Sequence, residues 1–384
     1  VRRVVVGVLV GSLVACSESS GGTTDPERLD AADAQVDAAA DGAVDAGSVD
    51  ASMPHDAADD VGREASLDAS DATYVNPVVA HDFPDPFVLR VDQSYYAFAT
   101  NAFGSNIQVA TSSDLATWTD LPDALPNLPS WAAANAGLTW APSVLARSGT
   151  FVLFYTARDN ASGFQCVSRA VSTTPMGPYV DTSSAPLICQ TAICGSIDPS
   201  PFVDDDGSAY LVWKSDENNP TCGTPPRIWS QPLTSDGISV LGSPTVLLER
   251  DQLWEGAVIE GPAMWKSGGA YYLFYSANRY DSADYAVGYG VCQGAIGPCE
   301  KKTLDPSDGG GSPAILQSAG SALGPGGEQL FQDTGLSLWV VYHAWTAPET
   351  SYSGDGARSM RIDRVTFDAG QPIILGPTTT PQPL

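Results

Sequence analysis

Basic residues are scarce in this 384-residue chain: 18 Lys+Arg stand against 45 Asp+Glu, for a formal charge of −27. A field of that sign repels a polyanion, which excludes phosphate-backbone binding as the main activity and leaves no nucleic-acid partner to expect. Charge of either sign is sparse, at 16% of residues, against the roughly 25% of an average globular domain. Long helices are excluded in practice, because 37 Gly and 29 Pro interrupt the chain often. The apolar run from Val4 to Ala15 is too short to span a bilayer as a helix. What is plentiful is aromatic: nine Trp and 14 Tyr. A turn-rich, aromatic-rich, acidic chain fits an exported β protein that meets neutral ligands.

Three zones follow from composition. Residues 1–16 read as an export signal, with Arg2 and Arg3 before the apolar run. The run ends in Leu13-Val14-Ala15-Cys16, which resembles a bacterial lipobox; the resemblance implies lipidation of Cys16 and an outer-membrane or cell-surface location. Residues 17–73 carry 15 Asp+Glu against Arg28 and Arg63 and contain no aromatic residue. Such a segment cannot bury enough apolar surface to offset the entropy of ordering, so a disordered acidic tether is expected. Residues 74–384 hold every Trp and are long enough for a sizeable core.

Setting Cys16 aside leaves Cys166, Cys189, Cys194, Cys222, Cys292 and Cys299. An even number in an exported chain reads as disulfides, with 15 pairings open. The close spacings favour Cys189–Cys194 and Cys292–Cys299 as local clips, with Cys166–Cys222 as the remaining link. A zinc site is the competing reading, but no His lies near these Cys.

The third zone repeats. A Pro preceded by a small or acidic residue recurs at Asp85-Pro86, Ala141-Pro142, Asp198-Pro199, Gly261-Pro262 and Gly324-Pro325, spaced 56, 57, 63 and 63 apart. After each comes an aromatic–aliphatic run: Tyr95–Phe98, Phe151–Tyr155, Tyr210–Trp213, Tyr271–Tyr275 and Leu338–Tyr342. Short apolar β-type runs bounded by turn residues mark strands buried on both faces. About 60 residues and four strands per copy is a propeller blade, so the expected fold is an all-β, five-bladed β-propeller. Two stacked β-sandwiches are the alternative architecture.

In a propeller, equivalent inner-strand positions of different blades converge on one end of the axis. The first blade offers Asp85 there, the third Asp198 and the fourth Glu260, whereas the second and fifth carry Ala141 and Gly324. Turn chemistry alone explains one Asp–Pro, but not acids in three copies. Carboxylates crowded on one ring repel, which pushes their pKa values apart and keeps one protonated near neutrality. A glycosidase requires that pairing of proton donor and base.

From about Asn76 to Leu375 the chain resembles glycoside hydrolase family 43. The matching pieces are Asn76-Pro77, Phe83-Pro-Asp85-Pro86, Trp140-Ala-Pro142, Ser196-Ile-Asp198-Pro, Ile259-Glu260-Gly-Pro262, Gly324-Pro-Gly-Gly327, Tyr342-His-Ala-Trp345 and Arg361-Ile-Asp-Arg364. The resemblance implies inverting hydrolysis of arabinose- or xylose-containing plant polysaccharides, with Asp85 as general base, Glu260 as general acid and Asp198 orienting that acid. It makes Trp140, Phe83 and Arg361 candidates for substrate binding: Trp140 as a stacking wall, Phe83 as a cap, Arg361 toward the sugar hydroxyls. His343 reads as a core histidine within an inner strand.

Many family members carry His where this chain has Gly327, and that His helps hold a metal or water on the axis. Without it the case for an axial calcium weakens: Glu328 or His343 would be the substitute ligand, a structural calcium stays open without a clear ligand set, and no cofactor is required. Asp204-Asp-Asp206-Gly207 resembles the start of a calcium loop but has Ser215 where the closing Glu belongs; it reads as a hairpin turn. A monomer that acts on a glycan is expected. Its alternative is a non-catalytic glycan-binding propeller on the cell surface.

Overall fold

The computed structural model describes residues 72–134, 137–147, 149–302 and 313–384. The export signal, Cys16 and the tether up to residue 71 lie outside the described residues. Thr73 already pairs in a strand, so the folded part begins slightly before residue 74.

Among the described residues, five antiparallel blade sheets form, one per repeat, beside a two-stranded sheet that pairs the two ends of the folded part. The first blade contains Phe87–Val91, Ser94–Ala99, Gln108–Ser112 and Thr119–Leu121. The second has three strands, Thr139–Arg147, Thr150–Arg158 and Gln165–Ser172, one fewer than expected. The third has Ser196–Val203, Ala209–Ser215, Arg227–Pro232 and Thr245–Glu249. The fourth has Ile259–Ser267, Ala270–Ala277, Ala286–Cys292 and Cys299–Lys301. The fifth has Ala322–Gln332, Leu338–Thr346, Ser359–Asp368 and Gln371–Ile374. Each first strand contacts the first strand of the next blade, and the fifth returns to the first, so the ring closes.

The aromatic–aliphatic runs are the second strands. They are buried on both faces because each blade packs between two others. Five apolar clusters fill the five junctions. Trp339, Val341 and Met360 of the fifth blade meet Val88, Tyr95 and Ala97 of the first. Trp213 and Leu211 of the third meet Phe154 and Val167 of the second. Burying one such large side chain contributes about 1.5–3 kcal/mol, so closure rests on these junctions rather than on any one blade. The ends of the folded part meet: Thr73–Tyr74 pairs with Gln382–Pro383. Asn76 exchanges two hydrogen bonds with the Ile362 backbone, at 2.7 and 3.0 Å, which anchors the segment leading into Asp85.

Two of the three expected disulfides are paired differently. The bonds are Cys166–Cys189, Cys194–Cys222 and Cys292–Cys299. Val167 bridges Ile188 in antiparallel register, which sets Cys166 opposite Cys189. A 3-10 turn over Thr191–Ile193 then carries Cys194 away from Cys189. Cys292 and Cys299 are register partners on adjacent strands, as the short spacing suggested. The Asp204–Gly207 segment is a hairpin turn. Its Asp204 carboxylate leaves the turn to accept from Lys266 Nζ and the Tyr271 hydroxyl of the fourth blade, each at 2.6 Å.

Candidate active site

The residue before each repeat Pro has a left-handed backbone: Asp85 (φ 52), Ala141 (φ 44), Asp198 (φ 55), Gly261 (φ 57) and Gly324 (φ 56). Pro cannot donate to the ladder and disfavours helical geometry in the residue before it. In blades two to five the strand pairing slips at this point, between Trp140 and Ser143, across Val212 and Lys214, between Glu260 and Ala263, and between Leu323 and Gly326. Such bulges bend a strand and re-aim its side chains. A positive φ at Asp or Ala is strained, and strain of this kind collects at functional sites. The repeat thus specifies a kink at one end of every inner strand. It also corrects the expected equivalence: Asp85 and Asp198 occupy the kinked position, whereas Glu260 lies one residue earlier and Gly261 takes the kink.

The three carboxylates share one site, all partly exposed. Asp85 accepts from the Thr100 hydroxyl at 2.6 Å and lies 3.3 Å from Arg358 Nη1. Burial alone would raise its pKa, but the Arg358 charge, then His343 and the Thr100 hydrogen bond, outweigh burial and hold it below the usual carboxylate range. Asp198 behaves oppositely. Burial first, then the Glu260 charge, pushes it up to about 7 against the pull of Lys214. Its Oδ2 accepts from the Gly261 N–H at 3.0 Å, which ties it to the strand that carries Glu260. Glu260 accepts from the Tyr285 hydroxyl at 3.0 Å and from Lys214 Nζ at 3.3 Å. Lys214 is 1% exposed and also faces Asp216. One carboxyl is therefore kept ionised while the Asp198–Glu260 pair retains a proton near neutral pH.

The weaker candidates divide. Trp140 stays partly exposed beside the site. The next residue, Ala141, donates its N–H to Thr100 Oγ1 at 2.8 Å, the hydroxyl that serves Asp85. Phe83 is fully buried in the junction between blades five and one, so its ring presents no surface to a sugar. Arg361 is 1% exposed and donates to Thr346 inside the fifth blade. The arginine that reaches the site is Arg358, which sequence reasoning missed. Residues three apart on an extended chain face opposite ways, so one of the two guanidiniums must point inward and the other toward Asp85. Arg358 is held over the Tyr280 ring, 4.5 Å from its centroid, and its Nε donates to the Tyr352 hydroxyl at 2.8 Å.

Lys214 carried a readable signal: a charge ending a fully buried strand must have an acidic partner. Thr100 and Tyr285 carried none, because both lie in loops outside the repeated pieces, and His343 read only as a core histidine. His343 lies on the second strand of blade five rather than an inner one, and its Nε2 has no partner.

At the axis the side chains offer few metal donors. Among the described residues, the one group of three candidate ligand atoms that converges is Asp159, Cys166 and Cys189. Its two sulfurs are bonded to each other. Glu328 Oε1 and His343 Nε2 are buried without partners, two atoms against the six to eight ligands, waters included, that calcium takes.

A closed five-bladed propeller with a proton-holding carboxyl pair facing an ionised carboxylate defines a glycosidase-type site. The profile of Glycosyl hydrolases family 43 matches residues 74–372, most of the chain, and the protein belongs to that family. Relatives include the beta-D-galactofuranosidase xynD of Aspergillus niger, 28% identical, with 77% of this chain and 83% of that protein covered. The arabinan endo-1,5-alpha-L-arabinosidase A of Aspergillus niger is 27% identical, with 76% of this chain and 90% of that protein covered. Among solved structures, a thermostable family-43 glycoside hydrolase superposes with a TM-score of 0.69 at 32% identity, covering 81% of this chain and 98% of that one.

Proposed function

We propose that this glycosidase releases L-arabinofuranose, or in second place D-xylose, from plant cell-wall arabinan and arabinoxylan with inversion. The observation that carries the reading is the opposed treatment of the carboxyls. Asp85, ionised beside Arg358 and Thr100, takes a proton from water as the water oxygen attacks the anomeric carbon. The bond from that carbon to the leaving oxygen breaks, and Glu260 protonates the departing oxygen. Asp198 holds the Glu260 strand through the Gly261 N–H and supplies the charge that keeps a proton on the pair. Trp140 offers a partly exposed ring for the sugar face, and Arg358 takes the sugar-facing part expected of Arg361.

The furanoside preference draws support from relatives whose names specify galactofuranose and 1,5-linked arabinan, linkages that require five-membered rings. We also infer an exported protein anchored through lipidated Cys16, a reading supported by three disulfides in the folded part.

The test compares wild type and Glu260→Gln on aryl arabinofuranosides and aryl xylosides. Wild type should hydrolyse at least one. The variant should lose about 10²–10⁴-fold in kcat on a poor leaving group and far less on an activated one. A wild type that binds arabinan but cleaves neither substrate would establish the glycan-binding propeller instead.

A further inference from the structure

Gly326 and Gly327 are consecutive, and each clears space for one aromatic ring. A Cβ at Gly327 would stand 2.7 Å from both Cε1 and Nδ1 of His343. A Cβ at Gly326 would collide with the Tyr285 ring. Contacts under 3 Å to a ring carbon cannot be relieved by rotating a flexible tail, and both rings are buried. The rings lie on each other, 5.7 Å between centroids and 14° from parallel.

This two-ring stack touches both ends of the proposed chemistry. His343 Nδ1 accepts the backbone N–H of Asp85 at 3.1 Å. The Tyr285 hydroxyl donates to Glu260 Oε1 at 3.0 Å. Asp85 is the strained residue of its blade, with φ 52, and a strained conformation persists only where its surroundings over-determine it. The Asp85 carboxylate has its own restraints in Thr100 and Arg358. The His343 acceptor is the partner of its backbone N–H.

Resting on the proposed reaction, we infer that His343 is a positioning residue: seated on Gly327 and stacked on Tyr285, it holds the Asp85 backbone at a fixed distance from Glu260. The function requires an uncharged ring, because Nδ1 must keep its lone pair to accept. Burial, followed by the adjacent Arg358 charge, pushes the His343 pKa down to about 3 despite Asp85 nearby. The ring therefore stays neutral wherever the enzyme works, with its proton on Nε2. A protonated Nδ1, 3.4 Å from Asp85 Oδ1, would instead bind the carboxylate that must take the proton from water. An inverting carboxyl pair must leave room for that water, and small displacements of reacting groups are costly: about 1 Å can cost 10²-fold.

Three variants test this. His343→Phe keeps a stackable ring and removes the acceptor. His343→Asn places its amide oxygen near the position of Nδ1 and keeps the acceptor without the ring. Gly327→Ala presses on the ring from the other side, its Cβ also falling 3.1 Å from Asp85 Oδ1. The readouts are kcat and KM on aryl arabinofuranosides with poor and activated leaving groups, with Asp85→Asn as the reference for a lost base and a thermal melt for folding. We expect His343→Phe to lose about ten- to a hundredfold in kcat, with KM little changed. The loss should be equal on both leaving groups, because the defect is in the base. His343→Asn should recover most of it, and Gly327→Ala should resemble His343→Phe.

Equal losses in the Phe and Asn variants would overturn the acceptor role, as would a kcat within about twofold of wild type in His343→Phe. If His343→Phe does not fold, an unchanged kcat in Gly327→Ala overturns it. Inactive wild type would overturn the proposed function and this inference together. An active wild type, a dead Asp85→Asn and an unaffected His343→Phe would overturn this inference alone.

Discussion

Replacing Asp198 by Asn should move the alkaline limb of the pH–rate profile toward acid. Activity on poor leaving groups needs the proton that the Asp198–Glu260 pair holds, so it falls as pH rises through the upper titration of that pair. In wild type that limb is expected near pH 7, where burial and the Glu260 charge place the Asp198 carboxyl. Asn keeps an oxygen for the Gly261 N–H, so the local hydrogen bond survives while the negative charge goes. Glu260 then faces Lys214 at 3.3 Å without an opposing carboxylate. At an effective dielectric of about 20, a like charge in contact with a carboxyl is worth a few kcal/mol, on the order of two pH units. The Glu260 side chain is 17% exposed, and solvent screening trims that to an expected shift of about one unit or more. The assay is kcat/KM against pH on a poor and on an activated aryl arabinofuranoside. The activated substrate should show little of the shift, because it needs no protonation. A limb that stays in place, or moves toward alkali, refutes the coupling between Asp198 and Glu260.

Arg358→Met should raise the Asp85 pKa; since the base must be ionised, the acid limb should move up by about one unit or more, read in the same profile. Trp140→Ala should raise KM about three- to tenfold by loss of ring stacking, with a smaller change in kcat. Asp204→Asn should lower the melting temperature by removing the tie between blades three and four. The Asp204 pKa is depressed, first against burial and chiefly by hydrogen bonds from Lys266 and Tyr271. Its contribution is therefore full above the unfolded value near pH 4 and lost as pH falls through the lower folded value. The gap between wild type and variant should accordingly close in acid. A constant gap would assign the effect to packing.

Much of this molecule could be read from the order of residues. The five Pro-centred repeats specified five sheets, and the run after each Pro specified a strand buried on both sides. Asp85, Asp198 and Glu260 stood out because acids recurred where two other copies carried Ala and Gly. The repeat also misled in one respect: Glu260 seemed equivalent to Asp85, yet the kink in its blade belongs to Gly261. The one-residue offset stands in Glu260-Gly261-Pro262 itself, but that the residue before Pro takes the kink emerges only from the backbone and the strand pairing.

Other features depended on contacts between distant segments. The choice of Arg358 over Arg361 followed from which guanidinium faced the channel and which faced the blade. The disulfide partners of Cys166 and Cys194 followed from a single bridge at Val167 and a turn after it, not from spacing. Lys214, Tyr285 and His343 came to the carboxylates from three strands or loops with no shared motif. Local composition and periodicity determine which segments become strands and which faces are apolar, because those are nearest-neighbour properties of the backbone and its side chains. Which polar atoms end within 3 Å of each other is settled only when the ring closes, because closure alone sets the relative height and rotation of the five blades.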